Sequence, residues 1–283
     1  MSAEIALYDP PGPKARRRML VGSLIGTAVL LGIAWLVVGR LIDARQFRSA
    51  YWEPFTRPGV QRILLRGLGA TLRAAGLSLV LALLLGVVLA VGRRAERRPI
   101  RFLAGFTIET FRGLPLLLLI FFAFLGLPRA GIDIGSFGAL VIALSLYNGS
   151  VLAEIFRAGI EAVPRGQTEA AYSIGLRKGA TLRLILLPQA VRTMLPAIVG
   201  QLVVLLKDTS LGFIVAYEEL LRSGRLVYTN IGNVIPTAMV VAAIYIVINM
   251  TLTGVATWLE RRQRRTGKAP TVAALATDPL RNP

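Results

Sequence analysis

Residues 161–188 read EAVPRGQTEAAYSIGLRKGATLRLILLP, and the fold turns on what this stretch does between two apolar runs. Pro164 and Gly166 interrupt the chain entering it, because proline offers no N–H and glycine pays heavily in backbone entropy. Gln167 to Ile174 then predicts about two helical turns with Ala170 and Ala171 as a small, smooth face. Gly175 follows as the left-handed residue that ends such a helix. The stretch is polar enough to leave hydrocarbon and long enough to fold outside it. A short helix with a small-residue face suits docking; a helix that merely caps a bundle is the plain alternative, and these residues alone leave both open.

Working outward, a helix needs about 20 residues to cross a bilayer core. Apolar runs of that length flank the loop at 135–158 and 190–213, and four more lie at 19–38, 70–92, 106–127 and 236–258. Six spans place both termini on one side. The run 19–38 follows the basic cluster Lys14, Arg16, Arg17 and Arg18; it is long for a signal peptide and no Ala-x-Ala site closes it, so a retained helix is expected. Residues 39–65 carry Phe47, Tyr51, Trp52 and Phe55 among arginines and are expected to lie as an amphipathic connector at the external interface. Residues 261–283, with Pro270, Pro279 and Pro283, offer no core and are expected to form a disordered tail.

Composition agrees: 54% of the 283 residues are hydrophobic and 17% charged, which excludes an ordinary soluble enzyme. The 33 Lys and Arg against 15 Asp and Glu give +18, which in a soluble chain would suggest nucleic acid. Here the basic residues sit in short clusters between apolar runs, so no nucleic-acid partner is expected. With the N-terminus inside, 20 of the 33 fall in inner segments (1–18, 92–105, 157–188, 259–283), nine in outer segments and four within spans. The positive-inside rule therefore predicts cytoplasmic termini and a cytoplasmic 161–188 loop. With no Cys and no His, thiol nucleophiles, imidazole bases and Cys- or His-ligated metals are excluded.

Glu169-Ala170-Ala171, three residues, Gly175, nine residues, then Ile185-Leu186-Leu187-Pro188 resembles the EAA motif of permease subunits in bacterial ATP-binding cassette importers. Glu109-x-Phe111-Arg112-Gly113-x-Pro115, Glu154-Ile155-Phe156-Arg157, Pro188-Gln189-Ala190 and Leu206-Lys207-Asp208-Thr209-Ser210-Leu211 are similar to the polar amino-acid permeases within that family. The leading helix and the run Arg101 to Pro115 look most like actinobacterial glutamate-uptake permeases. The resemblance covers about residues 66–260. It implies an all-α type I permease core of five transmembrane helices plus one extra N-terminal helix, in the bacterial cytoplasmic membrane. It further implies a second permease subunit, expected to be a different chain, two ATP-binding subunits carrying ATP and Mg, and an extracellular solute-binding protein that delivers an amino acid. Gly166, Gln167, Glu169, Ala170, Ala171, Gly175 and Pro188 are then expected to couple to the ATPase. The chain itself has no phosphate-binding loop, since Gly175 to Gly179 fails that pattern; it is expected to bind no cofactor and to catalyse no bond chemistry.

Ionisable groups at membrane depth are functional candidates by default. Glu109 with Arg112, and Glu154 with Arg157, stand three apart on a helix and are expected to pair locally near the inner ends of their spans. Asn148 belongs on a face turned into the bundle or a cavity, where hydrogen bonding between helices is the expected role. Lys207, Asp208, Thr209 and Ser210 offer both charge signs and two hydroxyls, the mixture an amino-acid zwitterion needs. These nine residues are the candidates for a translocation path or gate. Two other classes fit the hydropathy: an ion-coupled secondary transporter of small polar solutes, which has no need of a docking loop, and a channel, which leaves residues 161–188 unexplained.

Overall fold

The computed structural model describes residues 12–266, and the chain divides into two units, Met1–Arg57 and Pro58–Pro283. In the first unit, α1 (Pro13–Asp43) is a single apolar helix with no buried residue. Short helical turns at Ser49–Trp52 and Glu53–Thr56 follow it, steadied by the Trp52 indole N–H donating to the Gln46 carbonyl at 3.0 Å.

The second unit contains α2 (Pro58–Arg93), α3 (Arg98–Gly113), α4 (Leu116–Arg129), α5 (Gly135–Glu161), α6 (Arg165–Ser173), α7 (Lys178–Val215), α8 (Leu220–Ile231) and α9 (Val234–Thr266). There is no strand among the described residues. The helices α1, α2, α5, α7 and α9 are each long and apolar enough to cross a membrane, and α3 with α4 makes a sixth candidate if counted as one broken span.

The third apolar run, 106–127, is not one straight helix: the chain bends by 102° between α3 and α4. Pro115 is the cause, since it lacks an N–H and forces the preceding residue out of helical geometry; Leu114 accordingly has ψ 135°. Helix α2 begins at Pro58, so the last part of the 39–65 connector is helical, and α7 begins at Lys178, so Pro188 lies inside a helix instead of after a loop. Residues 214–235 contain α8, a helix not anticipated from the hydropathy. The tail beyond Thr266 lies outside the described residues.

Helix α5 is the hub, packing on α2, α3, α4 and α7, with Leu140, Leu144 and Leu152 fully buried. Two apolar clusters stack along it. One, next to α6, joins Leu89, Ile108, Leu152, Phe156, Leu186 and Met194; the other, toward the opposite end, joins Ala74, Ile120, Leu140, Leu144 and Val215. Helix α9 makes a smaller contribution: Leu205 and Leu206 of α7 meet its Tyr245, Ile248 and Leu252.

Helix α8 lies directly against α2. A Cβ placed on Gly67 would run into the Ser223 hydroxyl and lie 3.1 Å from the Glu219 carbonyl, so only glycine permits this approach. Gly67→Ala is therefore expected to lower stability by about 1–3 kcal/mol through overpacking. Thermal unfolding in detergent checks this, with Gly69→Ala, which faces open space, leaving the midpoint in place.

Candidate functional site

Helix α6 is built to start and stop abruptly. Pro164 is its N-cap, and at the other end Leu176 N–H donates to Ala171 C=O at 3.0 Å while Gly175 N–H donates to Tyr172 C=O at 2.9 Å. This is a Schellman stop, and Gly175 has the φ of +82° that it requires. Ala171 is buried and pins the helix to the bundle. Gly166, Gln167, Glu169 and Ala170 are exposed, as are the larger Tyr172 and Ile174, at 47% and 76%. Two bonds tether this end to neighbours: Gln189 Nε2 of α7 donates to Gln167 Oε1 at 3.3 Å, and Lys178 Nζ meets Glu96 Oε1 of the α2–α3 connector at 3.0 Å.

The pair Glu154–Arg157 forms at 2.9 Å and extends to Glu161. Glu109 does not pair with Arg112. Its partner is Arg93 of α2 at 3.0 Å, because the Arg93 guanidinium crosses the bare backbone of Gly105 to reach it; Arg112 in the last turn of α3 is exposed. Asn148 is fully buried. Its amide donates to Leu144 C=O at 2.8 Å and its Oδ1 accepts from Gln201 Nε2 of α7 at 2.6 Å, so it clasps two helices.

The cluster 207–210 is split between two environments. Thr209 is buried and donates to Leu206 C=O, and Asp208 is half-buried. Lys207 and Ser210 instead line a groove of about 810 Å³ with Val203 of α7, Leu221 of α8, and Tyr245 and Asn249 of α9. The groove wall is mostly apolar with a few polar groups, the composition of a small-molecule site.

Glu219 was not singled out from the sequence, yet it is the one fully buried acid among the described residues. Its Oε1 accepts from Arg222 N–H at 2.7 Å, and its Oε2 accepts from Leu221 N–H at 2.7 Å and from the Tyr245 hydroxyl at 2.9 Å. It is the N-cap of α8. Burial raises its carboxyl above the ordinary range, while these donors and the Arg222 charge pull it down. Leu220 N–H donates to Thr71 Oγ1 and the Tyr217 hydroxyl to Ala70 C=O, so α8 is bonded to α2 as well. The available signal was an acid directly preceding an amphipathic run.

No group of three or more Asp or Glu with metal-binding geometry occurs among the described residues. Residues 82–265 match the family described as binding-protein-dependent transport system inner membrane component. The chain belongs to this family. A glutamate transport system permease protein, GluD of Corynebacterium glutamicum, is 43% identical over 79% of this chain and 83% of its own length. A probable glutamine ABC transporter permease protein, GlnP of Bacillus subtilis, is 37% identical over 70% and 92%. Among solved structures, an amino acid ABC transporter crystallised with histidines has a TM-score of 0.69 at 32% identity, covering 71% of this chain and 94% of that one. The MetNI methionine transporter, at 19% identity and TM-score 0.62 over 73% and 98%, shares the fold. The protein is thus a multi-pass permease subunit of an amino-acid ABC importer and not an enzyme.

The buried Asn148–Gln201 bond gives a direct prediction. Gln201→Leu leaves Asn148 Oδ1 without its donor and is expected to cost about 0.6–2 kcal/mol; unfolding in detergent reads it, and Asn148→Leu combined with Gln201→Leu should recover part of the loss.

Proposed function

We propose that this chain is the membrane half of an ATP-driven glutamate importer that couples to ATP-binding subunits through α6. The observation that carries the reading is the geometry of α6: a short helix with a sharp stop, pinned by Ala171 and presenting Glu169, Ala170, Tyr172 and Ile174 outward. Small and apolar exposed residues on a defined helix suit a groove on a soluble partner. The chain works as one of two permease subunits, the other a different chain, with two ATPases that hold ATP and Mg and an extracellular binding protein. The excess of Arg and Lys in the segments around α6 supports a cytoplasmic position for it and for both termini. Glutamate is favoured by the 43% identity to a glutamate permease.

Mechanically, α6 is set between α5 and α7, and α7 carries both the Gln189 tether and Lys207. These two positions are 18 residues apart, about 27 Å along a helix, so movement of α6 on ATPase closure reaches the groove through one element. In the groove Lys207 and Ser210 meet the carboxylates of the amino acid. Glu154–Arg157 and Glu109–Arg93 hold helix ends near the inner gate, Asn148 clasps α5 to α7, Asp208 and Thr209 back the path from behind Lys207 and Ser210, and Arg112 borders it.

The test is uptake by the reconstituted transporter. Ala170→Glu is expected to cut uptake and binding-protein-stimulated ATP hydrolysis at least tenfold with normal membrane abundance; unimpaired uptake would sink the docking assignment. Gly175→Asp should do the same, but it also strains a residue at φ +82° and is less decisive. Lys207→Met should abolish glutamate uptake while ATP hydrolysis still responds to the binding protein, and unchanged affinity and rate would remove Lys207 from the path.

A further inference from the structure

One oxygen atom holds two walls of the α7–α9 groove. Glu219 Oε2 accepts from Leu221 N–H and from the Tyr245 hydroxyl, and both Leu221 and Tyr245 line the groove beside Lys207 and Ser210. They come from different helices, α8 and α9, which also pack where Val241 of α9 meets the bare backbone of Gly224 of α8; the Glu219 bond adds a directional polar link at the groove wall. Leu220 in the same first turn of α8 donates its N–H to Thr71 Oγ1 of α2, so the α8 end of this link is itself anchored to the bundle. Glu219 itself does not line the groove, and its side chain is wholly shielded.

We infer that Glu219 is a positioning residue for transport: by fixing the Tyr245 ring and the first turn of α8 against each other, it sets the width of the groove in which the amino acid is held. A carboxylate suits this task because one group accepts from several donors at once, and because charge-assisted bonds in a shielded site are short and directional. With the bond lost, Tyr245 gains rotamer freedom and the wall no longer presents a fixed surface to substrate, while α6 and its Gln167–Gln189 bond are untouched. The inference rests on the reading that the Lys207 groove belongs to the translocation path.

The two steps separate in experiment. The complete transporter is reconstituted with saturating glutamate-loaded binding protein, and glutamate uptake and ATP hydrolysis are both measured for Tyr245→Phe, Glu219→Gln and the double variant. Uptake is expected to fall about 5- to 20-fold in each, with ATP hydrolysis within twofold of the parent, so that fewer substrates move per ATP. The double variant should be no worse than the poorer single one, since both changes break the same bond. Tyr217→Phe, which loses a bond from the same region to Ala70 without lining the groove, should lower the thermal midpoint and leave the transport ratio alone. Uptake within twofold in Tyr245→Phe, a parallel fall of uptake and hydrolysis, or multiplying effects in the double variant each overturn the positioning role. Should Glu219→Gln fail to reach the membrane, the conservative Tyr245→Phe decides alone. An unaffected Lys207→Met alongside an affected Tyr245→Phe would instead discard the path assignment of Lys207 while keeping Glu219 as the residue that sets the wall.

Discussion

Hydrocarbon supplies no hydrogen bonds, so every polar group placed at membrane depth has to be answered from within the chain. That requirement organises the bundle. Ser145 returns its proton to Val141 C=O, Asn148 is shared between Leu144 C=O and Gln201, and Thr237 donates to Asn233 C=O. Most of these bonds close on the helix's own preceding turn and cost no architecture. Others, among them Asn148 to Gln201 and Tyr245 to Glu219, run between elements. They fix how α5, α7, α8 and α9 are arranged in a setting where apolar packing alone discriminates poorly between arrangements.

The parts of the fold legible in the sequence were those set by local chemistry. Hydropathy located the apolar runs, and Pro164 and Gly175 bracketed α6 within two residues of its observed ends, because cap chemistry is encoded in adjacent residues. Glu154 found Arg157 for the same reason. What stayed hidden required tertiary contact. Glu109 took Arg93 over Arg112 because α2 and α3 lie side by side over Gly105, a juxtaposition that no i, i+3 spacing announces. Pro115 stood in plain view, yet the hydropathy of 106–127 is continuous across it; the size of the bend follows from how α3 and α4 each pack on α5.

The candidate site was legible to the same degree. Lys207, Asp208, Thr209 and Ser210 were marked together by their charges and hydroxyls in an apolar run; the structure puts Lys207 and Ser210 in the groove while Asp208 and Thr209 face elsewhere, since neighbours on a helix point about 100° apart. Glu219 escaped because a hydropathy scan treats an acid outside an apolar run as ordinary solvent-facing charge. Its importance arises from Tyr245, Thr71 and α8 closing around it, none of which is near it in sequence apart from the turn that it caps.

The 38-residue length of α7 has a further meaning once a bilayer is placed around it. Such a helix extends about 57 Å, while the hydrocarbon slab is about 30 Å thick. Tilt absorbs part of the excess; the remainder must stand clear of the lipid. Because α6 joins α7 at the Lys178 end, surplus length left at that end would, on the proposed topology, act as a stalk that holds α6 at or beyond the phospholipid headgroups. A soluble partner can then reach its exposed face without having to displace lipid, and shortening this stalk by a turn would sink the contact surface toward the membrane plane.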